Sequence, residues 1–88
     1  MNQTARVTAA IIVQNEAKHL AELLPRLDWV DEIVVIDGGS TDGSAEVARS
    51  YGALVWERSF DTFARQRNFA LQQASGDWIL SIDADERP

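Results

Sequence analysis

Trp78-Ile79-Leu80-Ser81-Ile82 runs directly into Asp83-Ala84-Asp85-Glu86, an apolar stretch ending in three carboxylates within four residues. An earlier stretch has the same form: Ile33-Val34-Val35-Ile36 ends in Asp37-Gly38-Gly39-Ser40-Thr41-Asp42. Short β-branched runs mark buried parallel strands, and open α/β sheets place ligands just beyond the carboxyl ends of their strands. Two strands that both end in acids therefore predict one site, with carboxylates gathered at one edge of one sheet. Close acids repel one another unless a cation offsets the charge. The pattern points to a metal-dependent site for a polyanionic substrate.

Working outward, strands and helices alternate. Val7 to Val13 is a β-branched run and reads as the first strand. Asn15 is placed to cap the helix that follows, along which Leu20, Leu23, Leu24 and Leu27 recur on one face. Pro25 should kink or end that helix, because it removes an amide and clashes with the preceding turn. Ile33 to Ile36 is the second strand. The second helix starts near Thr41 or Asp42, carries Ala45, Val47, Ala48 and Tyr51, and stops at Gly52. Ala53 to Trp56 is the third strand. Asp61 or Thr62 caps a third helix running to about Ala74, and Ser75-Gly76-Asp77 turns into the fourth strand.

The order β-α-β-α-β-α-β with short, right-handed connections predicts a Rossmann-like three-layer α/β/α fold with a parallel sheet. A reversal of growth after the third strand gives the spatial order 3-2-1-4. Strands one and four then adjoin at the switch point, where the loops bearing Asn15-Glu16, Asp37 and Asp83-Asp85 converge. No repeat, linker or low-complexity tract divides the chain, so residues 1–88 read as a single small domain.

Composition narrows the function. A net charge of −6 and a pI near 4.5 exclude the basic patch of a nucleic-acid surface, although a cation can still bring phosphates to an acidic protein. With no cysteine there is no disulfide framework, zinc-thiolate site or thiol nucleophile. The apolar stretches are strand-sized, and Met1 to Arg6 lack the apolar core of a signal peptide, so the expected setting is cytoplasmic.

Each candidate residue has a functional and a structural reading. Asp83 and Asp85 flank one residue at a strand end, where both could turn toward one Mn2+ or Mg2+ ion; the alternative is a solvated acidic turn. Asp37 precedes two glycines that let backbone approach a ligand, and its carboxylate could accept from a base amide or a ribose hydroxyl. Otherwise Asp37, Ser40, Thr41 and Asp42 simply cap the second helix. The favoured division gives Asp37 to ligand and Ser40 to Asp42 to capping. Arg67 interrupts an apolar stripe formed with Phe63 and Ala70, so its guanidinium is expected at the acidic crevice; the alternative is a surface arginine. Asn15-Glu16 either caps the first helix or contacts nucleotide. His19 reads as a surface residue. Trp29, Trp56, Trp78, Phe60 and Phe69 read as packing groups rather than sugar-stacking platforms.

From about Val7 to Pro88 the sequence resembles the amino-terminal half of family 2 glycosyltransferases. The matching stretches are Ile12-Val13-Gln14-Asn15-Glu16, Asp31 to Gly43, Arg67-Asn68-Phe69-Ala70 and Gly76 to Glu86. The Trp29-to-Val35 opening and the Asp83-to-Arg87 ending are most similar to the bacterial branch that adds glucose to the lipopolysaccharide inner core. The resemblance implies a glycosyltransferase A fold, of which residues 1–88 form the donor half, with UDP-sugar as donor and a lipid- or saccharide-linked acceptor. It implies that Asp37 contacts the uracil ring, that Asp83 lies near ribose and metal, that Asp85 is the direct metal ligand, and that Arg67 lies near the nucleotide. The metal would stabilise charge on departing UDP while an acceptor hydroxyl attacks with inversion.

The family's acceptor half and general base would begin where residue 88 stands, so this polypeptide is expected to be inactive alone. In the full-length enzyme the domain is expected at the inner face of the cytoplasmic membrane. The fourth strand, without a neighbour on its outer side, is expected to pair with a second copy as a homodimer. Among other classes, a dinucleotide-binding oxidoreductase needs glycines after the first strand, where Gln14-Asn15-Glu16-Ala17-Lys18 supplies none. A receiver domain needs an aspartate after the third strand, where Glu57-Arg58-Ser59 stands. A phosphatase would carry its D-x-D after the first strand. The remaining alternative is a half-fold that binds no nucleotide tightly and associates through its edge.

Overall fold

A computed structural model describes residues 5–83. Four parallel strands, β1 (Val7–Val13), β2 (Glu32–Asp37), β3 (Leu54–Glu57) and β4 (Trp78–Asp83), stand in the order β3-β2-β1-β4. The expected parallel sheet and its order are both present. Between the strands lie α1 (Ala17–Leu23), α2 (Ser44–Ser50) and α3 (Phe63–Gln73).

Alternation along the central strands sorts the core into two layers. Ala9, Ile11 and Val13 of β1, with Val35 and Ile82, face Leu20, Leu23, Leu24, Leu27 and Ala48 from the α1 and α2 side. Ala10, Val34 and Ile36 face the other way, onto Ala70 and Phe69 of α3. Pro25 acts as expected: α1 ends at Leu23 and the chain tightens into a 3-10 turn over Leu24–Leu27, which keeps Leu24 and Leu27 buried. Gly52, with φ +83°, closes α2 in a conformation that other residues adopt only with strain. Thr62 caps α3 as expected, its Oγ1 accepting from Arg65 N at 3.2 Å.

At the amino-terminal edge of the sheet, carboxylates bind backbone. Asp31 Oδ2 accepts from Val7 N at 2.7 Å and Asp77 Oδ2 from Arg6 N at 2.9 Å. Glu32 Oε1 accepts from both Thr8 Oγ1 and Ser75 N at 2.9 Å, and its Oε2 accepts from Ser75 Oγ at 3.0 Å. The Ser75 amide holds the Glu32 carboxyl below its ordinary range. These acids register β2 and β4 against β1, with no part in the opposite edge.

Two expectations about packing need correction. Trp29, Trp78 and Phe60 are exposed rather than packed in the core, whereas Trp56 of β3, though partly exposed, meets Phe69 of α3 edge-on at 6.3 Å as a helix–sheet contact; Trp78, at 67 % exposure, lies on the edge strand β4 with no layer over it among the described residues. Arg67 is also exposed. The buried stripe of α3 runs through Gln66, Phe69 and Ala70, one residue out of phase with the stripe read from sequence.

Candidate functional site

The carboxyl ends of the strands carry a cleft of about 380 Å3, lined by Ile12, Val13, Gln14, Glu16, Phe60, Phe63 and Asp83. It lies where the expected switch point falls, between β1 and β4. The register places Asp83 beside Ile12 and Asp37 beside Val13, on either side of β1. Side chains at paired positions of parallel strands share a face, and successive residues alternate. Asp83 therefore shares the α3 face with Ile12, whereas Asp37 shares the α1–α2 face with Val13.

Asp37 thus does not line the cleft. It is 2 % exposed, and its Oδ1 accepts from Gly39 N at 3.2 Å and Ser40 N at 2.8 Å. Through Oδ1 the carboxylate closes the turn after β2, and Asp37 is not among the residues lining this cleft. Arg67 also fails to reach the cleft, because its helix presents Gln66 inward instead. Asp85 and Glu86 lie outside the described residues.

Asn15 does not cap α1 through its side chain, and it too is absent from the cleft lining. It adopts φ +54°, and its Oδ1 accepts from Thr41 N at 2.8 Å. The amides entering α1 are instead held from the neighbouring loop. Asn15 N donates to Ser40 Oγ at 2.8 Å, Glu16 N to Ser44 Oγ at 3.0 Å and Ala17 N to Asp42 Oδ2 at 3.0 Å. Asp42 Oδ1 accepts from Ser44 N at 3.1 Å and from Ser44 Oγ at 2.5 Å. One carboxylate thus serves the first turns of two helices, where orphan amides and the helix dipole favour negative charge. The Ser44 hydroxyl, then the Ala17 amide, lower the Asp42 carboxyl's pKa. Asp42 is structural, as read from sequence, but it works across two loops. Glu16 borders the cleft on this clamped backbone.

The opposite wall comes from the segment between β3 and α3. Gln66, fully buried, donates from Nε2 to Arg58 O at 2.8 Å and accepts from Arg58 Nη1. The Arg58 guanidinium lies 5.5 Å from the centre of the Phe69 ring and 3.1 Å from Asp61 Oδ1. The Arg58 guanidinium, then the Thr62 amide, lower the Asp61 carboxyl to about 2. The loop so fixed carries Phe60, whose ring meets Phe63 edge-on at 5.3 Å and 85°. Sequence reasoning missed Gln66 and Phe63. A polar residue four positions before buried Ala70 was the available signal for Gln66.

Among the described residues no group of three or more His, Asp or Glu gathers as a cation cage. Asp83 and Glu16 nonetheless give the cleft oxygen donors of the hard type, and a cation that keeps waters and substrate phosphates needs only one or two carboxylates. The donor set fits Mg2+ or Mn2+. No helix among the described residues is long and apolar enough to cross a membrane.

Residues 8–88 match glycosyl transferase family 2. The chain belongs to that family. It is 41 % identical over 86 residues to the lipopolysaccharide core biosynthesis glycosyltransferase LpsC of Rhizobium meliloti (strain 1021), covering 92 % of this chain and 32 % of the relative. The chain thus spans about a third of that relative's length. Mannosyl-3-phosphoglycerate synthase from Rubrobacter xylanophilus superimposes with a TM-score of 0.80 at 29 % identity, over 96 % of this chain and 32 % of that one. Glucosyl-3-phosphoglycerate synthase from Mycobacterium tuberculosis, solved in complex with UDP, gives 0.76 at 25 % identity over 93 % and 34 %. The same enzyme in complex with Mn2+, UDP and glucosyl-3-phosphoglycerate gives 0.75 at 24 % identity over 96 % and 36 %, a likeness that speaks for the fold alone.

Proposed function

We propose that this domain binds the nucleotide-sugar donor, a UDP-sugar, of an inverting, metal-dependent glycosyltransferase that builds lipopolysaccharide or a related polysaccharide. The observation that carries the reading is the cleft at the β1–β4 switch point, bordered by Asp83 and Glu16 in a family 2 domain. UDP in a related fold and LpsC's role in core biosynthesis support the donor and the acceptor class respectively. Asp83, together with Asp85 of the same D-x-D, is assigned to hold Mn2+ or Mg2+; the bound cation would offset the diphosphate's charge and stabilise UDP as leaving group. Asp83 and Glu16 would then orient the diphosphate end of the donor. Attack by an acceptor hydroxyl from the far face inverts the anomeric centre and needs a general base within hydrogen-bond reach. A lipid-linked acceptor places the full-length enzyme at the inner face of the cytoplasmic membrane.

Calorimetric titration of UDP with and without Mn2+ tests the reading. Binding should require the metal and be lost in Asp83→Ala. No binding under either condition would leave a half-fold without nucleotide affinity. A second reading, self-association, rests on β4: it pairs only with β1 among the described residues and exposes Trp78 and Ile79. An uncovered apolar edge invites pairing with another chain. Sedimentation equilibrium should show a dimer, and a clean monomer would overturn this second reading.

A further inference from the structure

We propose that the amino-terminal edge of the sheet carries a second binding site, a pocket for a neutral saccharide unit. The binding itself needs neither nucleotide nor metal. Only the assignment of that unit to the glycan under construction rests on the function proposed above.

The pocket, of about 400 Å3, opens across the start of β2, with Arg6 on one bank and Gly52 and Leu54 on the other. Its volume falls in the range of small-molecule sites. It shares no lining residue with the cleft at the carboxyl ends of the strands. The six residues of β2 separate the two by roughly 17–20 Å. Leu27 and Ile33 give it an apolar floor continuous with the core. The rim is mixed: Asp28, Asp31 and Glu32 supply carboxylates, Arg6 a guanidinium and Tyr51 a phenol.

Asp31 and Glu32 are already engaged, by the Val7 amide and by Thr8 and Ser75. The other polar groups are not. Among the described residues the Asp28 carboxylate, the Arg6 guanidinium and the Tyr51 hydroxyl make no hydrogen bond, although all three line one pocket. Tyr51, 45 % exposed at the end of α2, adds ring surface beside them. Both banks are held by backbone: Tyr51 N and Ala53 N donate to Ala48 O at 3.1 Å, and Asp31 N donates to Val7 O at 2.9 Å. A pocket fixed in this way binds without first ordering its walls. Three carboxylates against one guanidinium repel an anion, and Arg6 on the same rim works against a compact cation. A sugar ring suits what is left. Its hydroxyls donate to Asp28 and accept from Arg6, and its apolar face lies on the Tyr51 ring.

The test is an amide-resolved NMR titration of the 88-residue chain without metal. Maltose, cellobiose and lactose are the saccharide probes, putrescine the cation and inorganic phosphate the anion. At least one saccharide should give saturable shifts at the amides of Ile33, Tyr51 and Gly52, with a Kd of about 1–10 mM, as suits one small open pocket. The amides of Gln14 and Glu16 should not move. Tyr51→Ala should weaken binding about tenfold and Tyr51→Phe by less than about threefold, because the ring face carries the contact. Asp28→Asn, at an exposed position that leaves the fold intact, should weaken it about threefold to tenfold by removing a charge-assisted acceptor. Absence of saturable shifts at these amides with all of the saccharides would overturn the proposal. So would tighter binding of putrescine or phosphate, or saccharide affinity unchanged in both Tyr51→Ala and Asp28→Asn. Added UDP and Mn2+ should leave the saccharide Kd unchanged; competition would place the sugar in the donor cleft and overturn the second site. UDP binding without saccharide shifts refutes this site alone, and saccharide shifts without UDP binding refute the donor reading alone.

Discussion

Replacing Gln66 by leucine asks how much one buried amide contributes to the aromatic wall. Leucine is close to glutamine in volume, so little cavity or strain is added. Two hydrogen bonds disappear: Nε2 to Arg58 O at 2.8 Å, and the one from Arg58 Nη1 to Oε1. The guanidinium keeps Asp61 and the face of Phe69, so its loss is partly absorbed. The Arg58 carbonyl has no such substitute partner, and an acceptor stranded in a part-buried site costs about 1–3 kcal/mol. Favourable burial of the leucine methyls offsets a fraction of that, leaving a net destabilisation of about 1–2 kcal/mol. In a domain of this size each kcal/mol shifts the melting temperature by about 4–8 °C, so Gln66→Leu should melt about 5–15 °C lower. Circular dichroism at neutral pH, with urea unfolding as a second measure, reads this directly. A melting temperature within about 2 °C of wild type would refute the claim that Gln66 ties down the segment between β3 and α3.

Three further outcomes are expected. Gly76→Ala should destabilise the chain by about 2 kcal/mol or more in urea unfolding, because the added Cβ would lie 2.6 Å from Thr8 Oγ1, 2.9 Å from Thr8 N and 3.0 Å from Arg6 O. Asp42→Ala should lower stability and speed hydrogen exchange at the amides of both Ala17 and Ser44; faster exchange at Ser44 alone would show that the carboxylate does not serve two helices. Acid should unfold the chain between about pH 4.5 and 2. Glu32, Asp42 and Asp61 all have folded-state values depressed below the unfolded ones, Asp61 to about 2. Their contribution is complete above the unfolded pKa and lost as pH falls through the folded one. A melting temperature unchanged from pH 6 to pH 2 would contradict it, and Glu32→Gln should flatten the upper part of the profile.

The fold was legible because hydrophobic period and punctuation agreed. Each β-branched run became a strand within one residue or so, Pro25 and Gly52 ended helices, and the alternation along β1 and β2 fed both helix layers. The site was less legible, for reasons of geometry. Asn15 is the nearest capping residue to α1, but the acceptors that serve it come from 25 to 28 positions away, a distance local pattern does not encode. For α3, Phe63 was counted as a core residue, which set the helical phase one position wrong and exchanged Gln66 for Arg67. Phe63 is exposed and lines the cleft, so its apolar character does not mark the core face. Asp37 and Asp83 both end strands, and sequence gathers them at one edge; only the register shows them on opposite faces.

The lacing of the loop after β1 to the loop after β2 bears on how this domain can diversify. Three successive amides, at residues 15, 16 and 17, are each met by a different side chain between residues 40 and 44. Inserting or deleting a single residue in either loop would put every one of those pairs out of step, so the two loop lengths are fixed jointly. Loops beyond strand ends are ordinarily where a scaffold tolerates length change and acquires new specificity. Here that freedom is closed on one bank of the cleft. The stretch from Arg58 to Thr62 on the other bank is held by its own contacts with α3, so its length is not tied to how the first two helices begin.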